Sequence, residues 1–327
     1  MSSYGPESLA IDAPAEADRI CETLRTYVRT SRRKGAVVAV SGGIDSSVVA
    51  ALCVRALGAG HVLTLQLPEA ESARESLELS AELIASLGVA SVCEDISGVL
   101  EAYGCYRRRD DAIRSVFPEY GPGYRAKIVL PSVVDSDSYR LYSVVVQAPD
   151  GRQESRRLTA DAYLQVVAAT NFKQRTRKAL EYYHADRLNY VVAGTPNRLE
   201  YDQGFFVKLG GGAADIKPVA HLYKTQVYQL AAFLDVPEAI RSRPPTTDTY
   251  SLPQSQEEFY FSLPYDRMDL CLYGVDHGVP TSEIAAATGL TGEQVARVLR
   301  DIEQKRRTTA YLHRSPVLVE DVPQVGH

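Results

Sequence analysis

Residues 36–58 read AVVAVSGGIDSSVVAALCVRALG, and this stretch decides the fold. Its first five residues form the short apolar run that is typical of a buried parallel strand. The sequence SGGIDSS follows at 41–47, and the apolar run after it has the composition of a helix. The stretch therefore predicts a strand, a glycine-rich turn and a helix in direct succession.

The neighbouring segments continue this alternation of strands and helices. On the amino side, 13–33 predicts an amphipathic helix. On the carboxyl side, HVLTLQLP at 61–68 predicts a strand, 71–88 a helix, and VASVCEDI at 89–96 a further strand. Strands that alternate with helices indicate an α/β fold with a doubly wound parallel sheet, which binds ligands at the carboxyl ends of its strands.

The second half of the chain returns to the same pattern. A helix is predicted over about 166–188 and a strand over 190–194. The glycine-rich loop LGGGAAD follows at 209–215, and a further helix starts near Leu222. We expect this half to complete the same sheet rather than to form a separate one.

Two segments do not follow the alternation. Within 104–165, strand-like runs at 139–147 and 152–160 flank Pro149-Asp150-Gly151, and a Pro-Asp-Gly turn between two such runs predicts an inserted hairpin. The stretch at about 281–312 predicts a small helical C-terminal segment.

Composition limits the class of protein. The chain has 327 residues, 45% of them hydrophobic, and a formal net charge of -5. We expect a single domain over 1–327, with no overall basic surface for nucleic acid. The start lacks the layout of a signal peptide and no apolar run is long enough to span a bilayer, so we expect a cytoplasmic protein without membrane partners.

The 41–47 loop has the features of a phosphate site. Backbone N–H groups and the positive end of the helix dipole converge where a strand turns into a helix. The loop lacks the lysine of kinase-type phosphate loops and carries Asp45 inside the turn, which would repel a phosphate unless a cation lay between them. Asp45 therefore predicts magnesium. The predicted ATP-binding residues of the loop are Ser41, Gly42, Gly43, Asp45, Ser46 and Ser47.

This loop resembles the SGGxDS loop of the N-type ATP pyrophosphatases, which cleave ATP between its α and β phosphates. The loop alone does not choose among the members of that group. The segments NFKQRTRKALEYYHAD at 171–186, the run from Tyr190 to Leu234, and PPTTD at 244–248 are similar to the NAD synthetase family. The resemblance covers about 15–100 and 166–310.

The resemblance implies a set of site residues. The family's ATP contacts fall on Thr195, Lys224 and Thr246, its magnesium ligands on Asp45 and Glu200, and its deamido-NAD contacts on Arg175, Lys208 and Asp215. Asp45, Glu200 and Lys224 would form the catalytic group, because the metal and the lysine neutralise the departing pyrophosphate while the substrate carboxylate is adenylated.

The resemblance also implies partners. Ammonia would attack the acyl-adenylate and release AMP, so this chain is expected to be an ATP-dependent amide ligase with deamido-NAD as the first choice of carboxylate. Only about 35 residues precede the loop, too few for the amidase domain of glutamine-dependent relatives, so we expect free ammonia or a separate ammonia donor. Members of the family are homodimers, and we expect a dimer whose contacts include the 104–165 excursion or the 166–188 helix.

Several positions depart from the family on the acceptor side. Val207 precedes Lys208 where a polar residue is usual, and Gly211 stands where an acid belongs. The best alignment puts Gln304 before Lys305-Arg306 in place of the family's histidine. These departures leave open an amide ligase for a different carboxylic acid, or a deamido-NAD site that depends on the excursion.

Two other classes of protein remain as alternatives. Residues 281–301 have the helix, Thr-Gly turn and second helix of a DNA-binding helix-turn-helix, but only Arg297 and Arg300 lie on its second helix. An RNA-thiolating relative would need sulfur-carrying cysteines and a basic surface, and the sequence shows neither. An amide ligase is therefore a better interpretation of the sequence than either of these alternatives.

Overall fold

The computed structural model describes residues 4–134, 142–246, 249–320 and 322. It contains a four-stranded parallel sheet in the order β3-β2-β1-β7 and a three-stranded antiparallel sheet in the order β4-β5-β6. The strands are β1 (Ala36–Ala39), β2 (Val62–Gln66), β3 (Ala90–Cys93), β4 (Arg125–Val129), β5 (Ser143–Gln147), β6 (Gln153–Arg157) and β7 (Val191–Val192).

Helices connect and cover the strands. The α-helices of the described residues are α1 (Ala13–Thr30), α2 (Ile44–Leu57), α3 (Arg74–Leu87), α4 (Ser97–Ala102), α5 (Cys105–Arg114), α6 (Ala160–Leu188), α7 (Arg198–Gln203), α8 (Lys224–Phe233), α9 (Glu238–Arg241), α10 (Tyr265–Asp276), α11 (Thr281–Thr288) and α12 (Gly292–Thr309). Every helix in this described part of the chain is too short or too polar to cross a lipid bilayer.

The parallel sheet is covered on both faces, as the doubly wound prediction requires. Val38 of β1 belongs to a buried cluster with α1, α2, α3 and α8, whereas its neighbour Val37 belongs to a second cluster with α4 and α6. Successive side chains of a strand point to opposite faces, so one apolar run serves both layers. The strand order reverses at β1, because β2 and β3 lie on one side of it and β7 lies on the other, and a doubly wound sheet binds its ligand at such a point.

The excursion is larger than the predicted hairpin. The turn at Pro149-Asp150-Gly151 joins β5 to β6 as expected, with Gly151 at φ +87°. However, β4 pairs with the other edge of β5 and makes a three-stranded sheet. The first predicted run, 139–147, begins in residues that lie outside the described ranges. The hairpin prediction was therefore incomplete rather than misplaced.

The sheet of the excursion packs on the first turns of α6. Ile128 of β4 and Val144 of β5 share a buried cluster with Ala162 and Val166 of α6. Thr159 caps this helix by accepting a hydrogen bond from the N–H of Ala162 at 3.1 Å. The helix therefore begins at Ala160, six residues before the predicted start, and links the excursion to the parallel sheet.

The C-terminal helices pack on the body of the protein. Val295, Val298 and Ile302 of α12 are buried in a cluster with Met268 and Leu272 of α10. Arg297, which the helix-turn-helix alternative placed on a DNA-reading helix, donates hydrogen bonds to the carbonyls of residues 133 and 134 instead. The apolar face of α12 therefore serves the protein core.

Alanine substitutions at Gly204 and Gly289 should distinguish the effect of backbone strain on stability from the effect of a steric clash. Gly204 and Gly289 end α7 and α11 at φ +71° and +68°. A Cβ at Gly204 would lie 2.3 Å from Thr309, whereas one at Gly289 meets nothing within 4 Å. We expect Gly289→Ala to lower the free energy of unfolding by about 1–2 kcal/mol, and Gly204→Ala by about 1–3 kcal/mol more. Denaturant unfolding of both variants checks this, and equal losses would contradict the close contact.

Candidate active site

The loop between β1 and α2 is shaped for a close backbone approach. Gly42 has φ +74°, and a Cβ there would lie 2.5 Å from the carbonyl oxygen of Ser76, so no other residue fits without a shift. Gly43 precedes α2 and offers no side-chain cap. The hydroxyls of Ser46 and Ser47 donate to the Gly43 carbonyl at 3.0 and 2.8 Å. These two serines therefore hold the turn that presents the helix N-terminus.

A cavity of about 490 Å³ opens above this loop, at the carboxyl end of β1. Its walls come from the ends of β1 and β2, one side of α6, and the segments 193–196, 204–207, 243–246 and 256–260. The predicted residues that line it are Ser41, Gly42, Gly43, Asp45, Ser46, Thr195, Glu200, Lys224 and Thr246. Ser47 is buried beneath the loop, and Arg175, Lys208 and Asp215 do not line the cavity. The structure thus brings the predicted ATP residues other than Ser47 to one cavity.

Two carboxylates and a lysine meet in this cavity. The ammonium of Lys224 contacts Oδ2 of Asp45, and Asn197 donates from Nδ2 to Oδ1 of Asp45 at 3.0 Å. Asn197 also caps α7, because its Oδ1 accepts the N–H of Glu200 at 3.2 Å and its own N–H donates to Oε2 of Glu200 at 3.2 Å. Gln256 donates to Oε1 of Glu200 at 3.0 Å. One buried asparagine therefore orients both predicted magnesium ligands.

The charges in this cluster perturb one another. Burial, together with the nearby charge of Asp45, raises the pKa of Glu200 to about 7. Burial alone would lower the pKa of Lys224, but Asp45 and then Glu200 shift it above its ordinary value, so the lysine stays protonated. The site has two carboxylates for one lysine, and this excess of negative charge suits a divalent cation.

The donor set fits magnesium. No group of three or more His, Cys, Asp or Glu side chains in the described ranges forms a metal cage. Mg²⁺ is commonly held by one or two carboxylates, with phosphate and water oxygens completing an octahedron. Asp45 and Glu200 would supply the two protein oxygens, and a bound metal would neutralise negative charge on a polyphosphate beside the loop.

The predicted deamido-NAD residues lie outside the cavity. Arg175 is exposed on α6 and donates from Nε to the carbonyl of Lys208 at 3.3 Å. The ammonium of Lys208 donates to the carbonyls of Tyr311 and Arg314 at 2.8 and 3.3 Å. The segment after α12 therefore covers Lys208, so this lysine would have to exchange those carbonyls for a substrate.

Asp215 is turned toward the sheet. Its Oδ2 accepts the N–H of Val192 at 2.7 Å, and its Oδ1 accepts the hydroxyl of Tyr182 at 3.3 Å. The structure therefore places Arg175 and Lys208 side by side, and the hydrogen bonds of Asp215 go to Val192 and Tyr182 instead. Their predicted role in deamido-NAD binding stays a prediction.

Sequence reasoning missed several residues of the cavity. The pattern Asn197-Arg-Leu-Glu200 is a capping box and could have indicated Asn197, whereas nothing in the sequence singles out Gln256. Tyr142, next to β5, and Tyr163 of α6 stack with ring centroids 4.3 Å apart and line the far end of the cavity. The excursion thus contributes a wall to the cavity.

The C-terminal basic residues have structural contacts. Lys305 is buried and donates to the carbonyl of Tyr260 at 2.7 Å. Arg306 binds Asp202 of α7 through two hydrogen bonds of 2.6 and 2.7 Å and also contacts Asp276 of α10 at 2.7 Å. These residues hold α7, and with it Glu200, against the C-terminal helices.

Replacing Glu200 should remove a pH dependence of stability. The ordinary glutamate pKa of 4.5 applies to the unfolded chain, whereas the folded protein holds the proton to about pH 7. The unfolded state binds fewer protons between these values, so this contribution is fully present below 4.5 and is lost as the pH rises through about 7. In the absence of magnesium, we expect the unfolding free energy of Glu200→Gln to increase relative to that of the wild type as the pH rises from about 5 to about 8.

The matched control for this measurement is Glu82→Gln, because Glu82 is an exposed carboxylate of α3. Denaturant unfolding at a series of pH values gives the difference between each variant and the wild type. A difference for Glu200→Gln that stays constant over the series would show that the folded protein does not perturb this carboxylate.

Comparison with known proteins places the chain in a family. The family model described as NAD synthase matches residues 16–115 and 142–312. The NH(3)-dependent NAD(+) synthetase of Rhizobium meliloti (strain 1021) is 56% identical over 98% of this chain and 96% of its own length. A protein of the same name from Mesorhizobium japonicum is 57% identical over 96% of this chain and 99% of its own length.

Solved structures share the fold at lower sequence identity. NMN synthetase from Francisella tularensis superposes with a TM-score of 0.66 at 21% identity, covering 94% of this chain and 99% of its own. An NH3-dependent NAD synthetase from Campylobacter jejuni gives a TM-score of 0.63 at 22% identity, covering 95% and 100%. The family model spans most of the chain, and close relatives match it almost from end to end. The chain belongs to the NAD synthase family.

Proposed function

We propose that this protein uses ATP to join ammonia to the carboxylate of deamido-NAD, giving NAD, AMP and pyrophosphate. The observation that carries the proposal is the cluster of Asp45, Glu200 and Lys224 in one cavity with the SGGIDSS loop. Such a cluster suits a nucleotide polyphosphate, and the relatives at 56–57% identity are named for this amidation.

In the first step the substrate carboxylate is adenylated. A carboxylate oxygen attacks the α-phosphorus of ATP, and the bond to the bridging oxygen breaks with its electron pair leaving on pyrophosphate. Magnesium on Asp45 and Glu200 would neutralise charge on the leaving group. The ammonium of Lys224 also offsets the negative charge on the leaving pyrophosphate. The loop from Ser41 to Ser47 holds the phosphates at the N-terminus of α2.

In the second step ammonia attacks the acyl carbon of the acyl-adenylate. The carbon–oxygen bond to AMP breaks, AMP leaves with the electron pair, and the new amide nitrogen loses a proton. The protein needs little more here than positioning and exclusion of water. Thr195 and Thr246, which line the cavity, are proposed to hold the nucleotide during both steps.

The acceptor is proposed to be deamido-NAD despite the departures at Val207 and Gly211. The close relatives match over 96–98% of this chain, so the alignment with them includes the 104–165 excursion. Arg175, Lys208 and Asp215 are proposed to contact this substrate. The exposed position of Arg175 on α6 suits a large dinucleotide that extends beyond the ATP cavity.

A homodimer is part of the proposal. Tyr183 of α6 is 59% exposed, and Leu164 of the same helix is 61% exposed. Val99 and Tyr103, near the end of α4, are also large exposed apolar side chains. These surfaces lie on or beside α6, one of the two regions that we expected at the contact, and burial against a second copy would remove them from water.

A cytoplasmic location is proposed as well. The five cysteines, at positions 21, 53, 93, 105 and 271, are all free thiols. Free thiols suit a reducing compartment.

Loss of either predicted magnesium ligand should stop adenylation. We expect Asp45→Asn and Glu200→Gln each to lower the rate by about 100-fold or more, because each removes a charge from the group that stabilises the departing pyrophosphate. The measurement is exchange of labelled pyrophosphate into ATP with deamido-NAD and magnesium, followed by NAD formation with ammonium as the nitrogen source. Glu82→Gln is the control, and near wild-type exchange in either site variant would place the metal elsewhere.

The dimer should be visible in solution. Light scattering at micromolar concentration is expected to give about twice the 35.9 kDa mass of the chain. Tyr183→Glu should shift the protein toward the monomer, because it buries a charge at the contact. Val317→Glu, at an 88% exposed position after α12, is the control. A wild-type protein that scatters as a monomer would contradict the dimer.

A further inference from the structure

The helix that begins at Lys224 has no side-chain cap from the residue before it. Lys224 is the first residue of α8, and Tyr223 before it makes no side-chain cap hydrogen bond. The first N–H groups of a helix have no partner within the helix and need another acceptor when they are buried. Lys224 is only 2% exposed, so water does not serve its backbone.

Asp269 supplies the missing acceptors from another helix. Its Oδ1 accepts the N–H of Lys224 at 3.2 Å, and its Oδ2 accepts the N–H of Thr225 at 2.7 Å. Asp269 lies on α10, 45 residues further along the chain, and is completely buried. A carboxylate is costly to bury, so its presence here calls for a compensating role.

Lys224 is therefore held at both ends. Its peptide N–H is bound to Asp269, and its ammonium contacts Asp45. A lysine side chain has four rotatable bonds and loses conformational entropy when it is fixed. An anchored backbone limits the positions that the ammonium can reach, and small displacements of a catalytic group are expensive.

We propose that Asp269 is a positioning residue for adenylation, which acts by fixing Lys224 against the phosphates of ATP. The inference takes its reaction from the proposed function above, but the hydrogen bonds that carry it do not depend on the identity of the carboxylate. The hydrogen bonds of the Asp269 carboxylate go to the N–H groups of Lys224 and Thr225 and not to the phosphate loop or the predicted magnesium ligands, so it acts through Lys224.

The competing explanation is an ordinary structural cap. Loss of a helix cap lowers the stability of the protein and has no selective effect on catalysis. Thr291 offers a matched control, because it caps α12 by accepting the N–H of Gln294 at 3.2 Å and lies away from the cavity. Thr291→Ala should therefore lower stability and leave the kinetics unchanged.

The first experiment compares Asp269→Asn, Asp269→Leu and Thr291→Ala with the wild type. Asn keeps one acceptor and the shape of the side chain, whereas Leu removes both acceptors. We expect kcat for amide formation to fall about 10-fold in Asp269→Asn and about 100-fold in Asp269→Leu. The KM for deamido-NAD should stay near the wild-type value. Circular dichroism and thermal unfolding establish that the variants are folded at the assay temperature.

The second experiment is a double-mutant cycle on MgATP binding, measured by titration calorimetry. Asp269→Asn should weaken binding in the wild-type background and have no further effect in Lys224→Met, because the residue that it positions is already gone. This titration needs no carboxylate substrate. It tests Asp269 even if deamido-NAD proves not to be the acceptor.

Two outcomes would overturn the proposal. One is an equal loss of ATP affinity from Asp269→Asn in both backgrounds, which would show that Asp269 acts independently of Lys224. The other is wild-type kcat and ATP affinity in both Asp269 variants with a loss of stability like that of Thr291→Ala. In that case Asp269 is a structural cap only.

Discussion

The contact between Lys224 and Asp45 is the interaction on which the arrangement of the site depends. It joins the loop after β1 to the start of α8, 179 residues later in the chain. Neither charge is well hydrated, so each requires the other, and loss of one would leave an uncompensated charge at the edge of the core. Asn197 then adds α7 to this contact, and Asp269 adds α10. This one ion pair therefore helps to fix the relative positions of four elements from separate parts of the sequence, namely the loop after β1, α7, α8 and α10.

The sequence predicted the parallel sheet well, because buried parallel strands are nearly continuous apolar runs. Residues 36–40, 61–68 and 89–96 each contain a strand of the sheet. It predicted the excursion less well. β4 reads RAKIV, with charged residues at alternate positions, and its partner lies fourteen residues further on, so neither composition nor a tight turn marks it. The start of α6 was missed because the apolar positions of its first turns face the excursion.

The site, like the fold, was predicted where a local sequence pattern marks it and missed where it depends on residues distant in the chain. The residues around Asp45 were predicted from a loop whose chemistry is local, and the family resemblance supplied Thr195, Glu200, Lys224 and Thr246, which all line the same cavity. Gln256 and Asp269 were not found, because an amide or a carboxylate far along the chain has no local pattern that shows which backbone or side chain it will meet. The acceptor residues stay predictions for a related reason. Lys208 is covered by the chain's own carbonyls, and its role depends on what displaces them.

The bracing of α7 by α12 has a consequence for biogenesis. Glu200 lies on a helix of six residues, too short to be stable alone, and the bidentate contact from Arg306 to Asp202 holds that helix from near the end of the chain. Ribosomes release the chain from its amino end, so the phosphate loop emerges more than 250 residues before its counterpart is secured. A nascent chain can form β1 and α2 early, yet α7 is held in place only after α12 has left the exit tunnel. The residues around Asp45 and Glu200 are therefore held in their final arrangement only once the chain has been translated as far as Arg306.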